Sequence, residues 1–470
     1  MFMKRFTFSL KIFFIVVVFL LAGNEATQAQ NGYILSGFRD VQQSSYLNPA
    51  FASGARVVIG LPLISNFSTG LVTTAGGLNN FFSKKAGSDS LYLDLSQVIN
   101  NGQAQDKITE FLDNDFLFAG FKAGNTFITL GVRQHVFVQT ILDRDLLRLF
   151  WNGNADYENQ TLDMSHTAVT EYHMMDYHLG ISIPIGEKFR IGARFHLLQG
   201  LSNISTENNG ITMKTSRDNN GNIDLQAYTN FRVNTSGLPD SNDFNPADYL
   251  LNFDNLGFSL DLGIDVQVTK QLWVNASFLN WGSVNYRSNT TSYYPSKDSV
   301  NFNGASIDIN NNNPFDHLGD TLQQLFDIKN EPRNYKIKLP TRFIIGAEYY
   351  TADLLNSFSV LFSGRSFKEY FEPAVSVGYT RFVSPHFSVK ANYTWIKDAP
   401  LNVGFAMAVN FSPFQLYLYS DNVPGLFQWD RQKYVQAGFG LNIRIAPRNT
   451  RKDPNNPEAI KNLRPDIKMK

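Results

Sequence analysis

Charged and imidazole side chains recur in this chain at even spacing inside runs whose other members are apolar. In 189–198, Arg190, Arg194 and His196 alternate with Phe189, Ile191, Ala193, Phe195 and Leu197. In 258–268, Asp261 and Asp265 fall between Phe258, Leu260, Leu262, Ile264, Val266 and Val268. The same phase puts Arg133, His135, Arg342, Glu348, Lys390 and Arg444 on the polar side of their runs. Serine hydrolysis would need a placed Ser–His pair and an oxyanion site. His135, His178 and His196 fall in separate runs and no Gly-x-Ser-x-Gly elbow occurs, so no catalytic residue is assigned and no enzyme is expected. His173 and His178 find no compelling ligand partner by spacing, and the acidic stretch with Asp240 and Asp243 reads as solvated loop. No metal or other cofactor is therefore expected. What remains is an interior lined by both signs of charge. Those charges either pair across a packed lumen and hold its shape, or line a polar permeation path or ligand site. With both signs present, no charge selectivity follows.

The elements that would position these groups are strands. In Tyr434–Ile445 every second residue (Val435, Ala437, Phe439, Leu441, Ile443, Ile445) is apolar and the residues between are polar or glycine. Side chains along a strand alternate between faces, so such a run has one apolar and one polar face. Similar runs occupy 56–64, 116–123, 127–138, 177–185, 189–198, 258–268, 272–281, 341–350, 358–365, 375–382, 387–397, 401–411 and 414–419. Their tight turns sit at 124–125, 186–188, 269–270, 384–385 and 412–413, and long polar connections sit at 139–171, 203–255, 287–340 and 422–431. Short turns on one side and long loops on the other are the habit of outer-membrane barrels. The expected fold is all-β, an antiparallel transmembrane β-barrel of about 14 strands, or about 16 if a hairpin over 211–233 is counted rather than placed above the membrane. Its lipid face excludes charge, since Arg or Lys at midplane costs about 2–4 kcal/mol. That is why the charged residues above are expected to face the lumen.

Composition agrees. The 40 Phe and 20 Tyr suit aromatic girdles, and Lys plus Arg equals Asp plus Glu at 41 each, so bulk charge suggests no nucleic-acid partner. Lys4 and Arg5 precede an apolar stretch, 12–22, that is shorter than the roughly 20 residues of a spanning helix. Residues 1–29 therefore read as a signal peptide cleaved after Ala29. No cysteine is present, which excludes a lipoprotein anchor or a disulfide. Residues 30–54 form a turn-rich plug segment, 55–445 the barrel, and 446–470 a flexible, basic periplasmic tail. Helical spacing is read in 104–114 (Ile108, Phe111, Leu112), 143–151 (Leu146, Leu147, Phe150) and 315–328 (Leu318, Leu322, Leu325).

The order of several motifs carries a resemblance. Tyr46-Leu47-Asn48-Pro49-Ala50-Phe51 is followed by Val57-Val58-Ile59-Gly60-Leu61-Pro62, then Asp145-Leu146-Leu147 and Trp151-Asn152-Gly153-Asn154. Glu171-Tyr172, Ile191-Gly192-Ala193-Arg194-Phe195 and Leu198-Gln199-Gly200 complete it. Across about 45–445 the chain resembles a family of outer-membrane barrel proteins of the Bacteroidota classed as a domain of unknown function. Asn48-Pro49-Ala50 is also similar to the element near the start of FadL-type transporters of hydrophobic compounds, where it belongs to an N-terminal hatch. PorP/SprF proteins, associated with type IX secretion, share the Asn-Pro-Ala start, but the Trp-Asn-Gly-Asn region does not fit them.

The resemblance implies an outer-membrane, FadL-like passive channel for small, hydrophobic compounds. That reading expects an apolar pocket at the outer mouth, with Phe315, Leu318 and Leu322, and a gap or kink in a strand. The alternative is a structural or accessory barrel holding partner proteins, such as secretion or envelope-assembly components. It expects a filled lumen and a periplasmic or outer-membrane protein bound at the tail or outer loops. Membrane lipid is a partner in either case.

Overall fold

The computed structural model describes residues 32–84, 91–217, 223–238, 245–302, 326–367 and 370–445. Residues 1–29, read as a signal peptide, the tail 446–470 and most of 315–328, where a helix is expected with Phe315, Leu318 and Leu322, lie outside the described residues.

The alternating runs become the staves of a closed 14-strand antiparallel barrel. In chain order these are β1 (Val57–Gly60) and β2 (Phe67–Thr73), β3 (Gln105–Ala123), β4 (Thr126–Asp143), β5 (Ala168–Ile185), β6 (Phe189–Asn209), β7 (Leu256–Gln267) and β8 (Leu272–Tyr286). They continue with β9 (Thr341–Tyr350), β10 (Asn356–Phe367), β11 (Tyr370–Ser384), β12 (Phe387–Ile396), β13 (Ala399–Phe411), β14 (Phe414–Ser420) and β15 (Tyr434–Ile445). β1 and β2 are halves of one stave. Both pair with β3 on one side and β15 on the other, which closes the barrel. Leu130, Leu179, Phe195, Phe258, Ile345, Val360, Val377 and Phe405 are among the many large apolar side chains left exposed around the wall. Monomeric soluble proteins rarely expose more than a few hundred Å² of continuous apolar surface. A belt of this kind is the lipid face of a membrane barrel.

The first stave is interrupted. It takes ten residues between Ile59 and Thr69, where β15 takes six between Ile443 and Ala437. The surplus forms a bulge over 61–66, with Leu63 at a φ of 66° and its N–H donating to the Asp115 carbonyl at 3.0 Å. β3 shifts register beside it, between Asp115 and Leu117. Leu63, Ile64 and Leu117 point to lipid here, while Ser65 and Asp115 are buried inside.

Several strands outrun their alternating stretch. β3 has 19 residues and β6 has 21, about twice the membrane-crossing length of 9–11. Only the part in lipid needs strict alternation; beyond it the same strands stand above the belt. There the predicted hairpin splits. Thr212–Arg217 and Ile223–Tyr228 pair in a 4-stranded sheet with Thr161–Asp163 and Ser299–Phe302, around Leu162, Met213, Leu225 and Val300. Phe231–Ser236 instead extends the wall against β6. The helix expected over 143–151 is present as Arg144–Asn152. The one expected over 104–114 is a strand, the upper half of β3. Phe111 is buried towards the lumen, whereas Ile108 and Leu112 lie on the other face. Their helical spacing arose from a strand that is apolar on both sides.

Candidate functional site

The N-terminal segment 32–54 lies inside the lumen, and its sequence explains how it is seated. Asn48 makes a local turn, its Oδ1 accepting from the Ala50 N–H at 2.9 Å, so Pro49 follows without a missing donor. Asn48 Nδ2 then donates to the carbonyls of Ile264 and Ala276 on β7 and β8, at 3.1 and 3.2 Å. Ser277 Oγ donates to the Leu47 carbonyl and Ser182 Oγ to the Ala50 carbonyl. The close approach needs glycine in the wall. A Cβ on Gly263 would come within 2.0 Å of Asn48 Oδ1, and one on Gly192 within 2.2 Å of the Ala50 nitrogen.

A cation then fixes the segment to the wall. The Arg39 guanidinium spans Asp265 and Glu348, with Nη2–Oδ1 at 2.9 Å and Nε–Oε2 at 2.9 Å, and lies 4.4 Å over the Phe51 ring. Tyr350 Oη also donates to Glu348 at 2.9 Å. Lys390 donates to the Ser36 carbonyl, and Asp421 accepts the N–H groups of Tyr33 and Ile34 at 2.9 and 2.7 Å. Arg342 lies 4.7 Å over the Tyr33 ring and donates to Ser363 Oγ at 2.9 Å.

The wall beside the plug is a ladder of opposed charges. Cross-strand register places Asp115 opposite Arg133, Arg133 opposite Asp176, Arg194 opposite Asp261 and Arg190 opposite Asp265. Arg133 lies 3.2 Å from Asp113 Oδ2 and 3.5 Å from Asp115 Oδ1, with its guanidinium 4.2 Å over the Tyr46 ring. Tyr46 Oη donates to Asp115 at 2.8 Å. Arg194 donates to the Ser45 carbonyl at 2.8 Å. His135 bridges Asp113 and Asp176, and His196 bridges Asp176 and Asp261. Arg190 is nearer the tight-turn end and donates to Ser182 Oγ at 3.1 Å, and Arg444 donates to Asn410 Oδ1 at 3.3 Å. Thus Arg133, His135, Arg194, His196 and Asp261 share one cluster, Asp265 and Glu348 share Arg39, and Arg190, Arg342, Lys390 and Arg444 stand apart. Arg39, Tyr46, Asp113, Asp115, Asp176 and His178 belong to these groups, and of them only His178 falls within an alternating run, on the polar side of 177–185. Arg39 and Tyr46 lie outside any strand, and the upper half of β3 read as helix.

Towards the long-loop end the lumen wall turns apolar. Phe137 stacks on Tyr172 with ring centroids 4.8 Å apart, and Tyr286 on Tyr335 at 5.2 Å. Phe111, Met174, Leu198 and Leu279 complete the layer, which packs down onto Leu35, Phe38 and Leu47 of the plug. Between the layers is a cavity of about 90 Å³ lined by Asp113, Arg133, His135, Asp176, His196, Phe137 and Tyr172, among others. A larger concavity, about 630 Å³, lies on the lipid face among Ile181, Ile191, Ile264 and Ile345 and touches none of these charges.

A model of a family of unknown function, DUF5723, matches residues 49–421. No curated protein matches the chain. Among solved structures it is similar to the Ralstonia pickettii toluene transporter TbuX, at 8% identity and TM-score 0.42, covering 86% of this chain and 94% of that one. It is also similar to the Pseudomonas putida toluene transporter TodX, at 11% identity and TM-score 0.38, covering 90% and 95%. A Pseudomonas aeruginosa FadL homologue aligns at 9% identity and TM-score 0.40, covering 86% and 94%.

Proposed function

We propose that this chain, which belongs to the family of unknown function DUF5723, is a plugged outer-membrane channel for the uptake of small apolar compounds. The observation that carries the reading is the apolar lumen wall above the plug, built on Phe137, Tyr172, Met174, Tyr286 and Tyr335. Water-filled barrels have polar interiors, and an apolar, aromatic lining favours solutes that leave water readily. Below it, the charged ladder and the plug bar a straight aqueous path. The interrupted first stave supplies the wall irregularity that sideways release into the bilayer requires, at 61–66 beside Asp115. Passage needs the plug to shift, because the cavity of about 90 Å³ is below the roughly 300 Å³ of an ordinary ligand pocket.

That filled lumen also favours a second reading, an accessory barrel whose loops or tail hold partner proteins. The test is uptake of a radiolabelled small aromatic hydrocarbon and a medium-chain fatty acid, in cells with and without the protein, alongside mild-detergent purification of the complex. Faster uptake with the protein supports the channel. Equal uptake together with a stoichiometric protein partner replaces it with the accessory role.

A further inference from the structure

The polar layer contains a set of donors that ion pairing leaves incomplete. His178 is buried, yet neither of its ring nitrogens makes a hydrogen bond. The nearest acceptor to its Nδ1 is Asp176 Oδ2 at 3.7 Å. Its ring packs where a Cβ on Gly131 would stand 2.7 Å away, so the wall is shaped to admit it. His196 Nδ1 lies 2.9 Å from Asp176 Oδ1, and donor atoms of Asp176, His178 and His196 all lie within 4.8 Å of one another. His135 Nε2 is 3.4 Å from Asp176 Oδ2.

We propose that Asp176, His178 and His196 bind a zinc ion inside the lumen. Tetrahedral zinc with bonds near 2.0 Å holds its donors roughly 3.3 Å apart, and His196 and His178 stand 2.9 and 3.7 Å from the Asp176 carboxylate, on either side of that value. Imidazole and carboxylate are also the ligand types that suit this ion. The outward nitrogen of His196 is placed as metal-bound histidines place theirs. His196 Nε2 faces Asp261 Oδ2 at 3.1 Å, the carboxylate–histidine arrangement that fixes tautomer and raises ligand basicity.

Charge points the same way. Asp113, Asp115, Asp176 and Asp261 make this stretch of the wall rich in carboxylates, a setting that suits a cation. The site joins two adjacent strands, β5 through Asp176 and His178 and β6 through His196. His135, Asp176 and His196 also line the cavity of about 90 Å³, so the ion is within reach of the lumen.

The test uses untagged full-length protein extracted from membranes in mild detergent, stripped with a chelator and titrated with zinc chloride by calorimetry. Cobalt(II) absorption reports the geometry. Expected are stoichiometric zinc binding and a tetrahedral cobalt spectrum. His178→Gln should weaken binding at least about a hundredfold, and Asp261→Asn by about ten- to a hundredfold because it removes only the orienting carboxylate. Heat-modifiable gel mobility checks that each variant is still a folded barrel. The proposal is overturned if the folded wild-type chain binds no zinc at micromolar concentration. It is equally overturned if folded His178→Gln and Asp261→Asn both bind as the wild type does.

Discussion

His178 and His196 stand directly opposite each other on neighbouring strands, with ring centroids 5.8 Å apart. Tyr46 of the plug meets the His178 ring edge-on at 5.9 Å and lies under the guanidinium groups of Arg133 and Arg194. One aromatic residue of the plug therefore caps the charged seam of the wall. Segment and wall thus share this seam, with Tyr46 also donating to Asp115. Moving the plug would leave these charges to be rehydrated.

The seat of Asn48-Pro49-Ala50 offers a way to disturb the plug without touching the barrel's lipid face. In Gly263→Val the added Cβ falls 2.0 Å from Asn48 Oδ1 and 2.8 Å from Pro49 Cδ. The strand keeps a β-branched residue that it favours, while the plug loses its seat. The wild type should be nearly silent in planar bilayers. Gly263→Val should show frequent ion-conducting openings, at least about tenfold more open time, a shift of about 1.4 kcal/mol. A silent variant that is folded would mean that the other contacts, those of Arg39, Asp421 and Lys390 among them, hold the plug without this seat.

Arg39 itself is predicted to be the costlier residue. It is the cation between Asp265 and Glu348, whose side chains are 1% and 2% exposed. Arg39→Ala leaves two buried carboxylates facing each other, and breaking a buried pair in this way costs about 3–5 kcal/mol. The unfolding midpoint, followed by heat-modifiable mobility, should fall clearly. Adding Asp265→Asn and Glu348→Gln should return much of the loss, because the stranded charges go with it. If the triple variant is no more stable than Arg39→Ala, the guanidinium acts by packing on Phe51 and Trp273 rather than by charge.

The barrel was legible because lipid enforces it. A residue such as Phe195 or Leu262 must be apolar on one face, and Arg194 or Asp261 must be on the other, so phase alone places them. The upper half of β3 is under no such rule, because its outer face meets other protein. Ile108, Phe111 and Leu112 therefore fall at a helical spacing by accident. The polar cluster was half legible. Phase places His196 and Asp261 inside, but only cross-strand register brings Arg194 opposite Asp261 and His178 opposite His196. Plug residues such as Arg39 and Tyr46 belong to no periodic element and take their partners from across the lumen, beyond the reach of any local pattern.

The phase itself can be tested at Ile181, a lipid-facing residue near the middle of the exposed stretch of β5. Ile181→Arg should destabilise folding into vesicles by about 2–4 kcal/mol, and Ile181→Leu by less than about 1 kcal/mol. Urea titration in lipid vesicles reads both. An arginine tolerated there at no cost would mean that this stretch is covered by protein rather than lipid.

The apolar layer makes the sharpest demand on the uptake reading. Phe137 stacks on Tyr172 at 4.8 Å and belongs to the buried cluster that runs from the plug to Tyr286. A solute crossing this layer exchanges water for aromatic carbon. Phe137→Asn puts an amide with no partner into that path, at a cost of about 1–3 kcal/mol from protein data. Uptake of an apolar compound should then fall by about tenfold, the equivalent of about 1.4 kcal/mol. Phe137→Leu keeps the wall apolar and should retain most of the uptake. Both variants shrink the side chain, but only Phe137→Asn makes it polar. If they transport alike, the layer packs the barrel and conducts nothing, and the filled lumen belongs to an accessory protein.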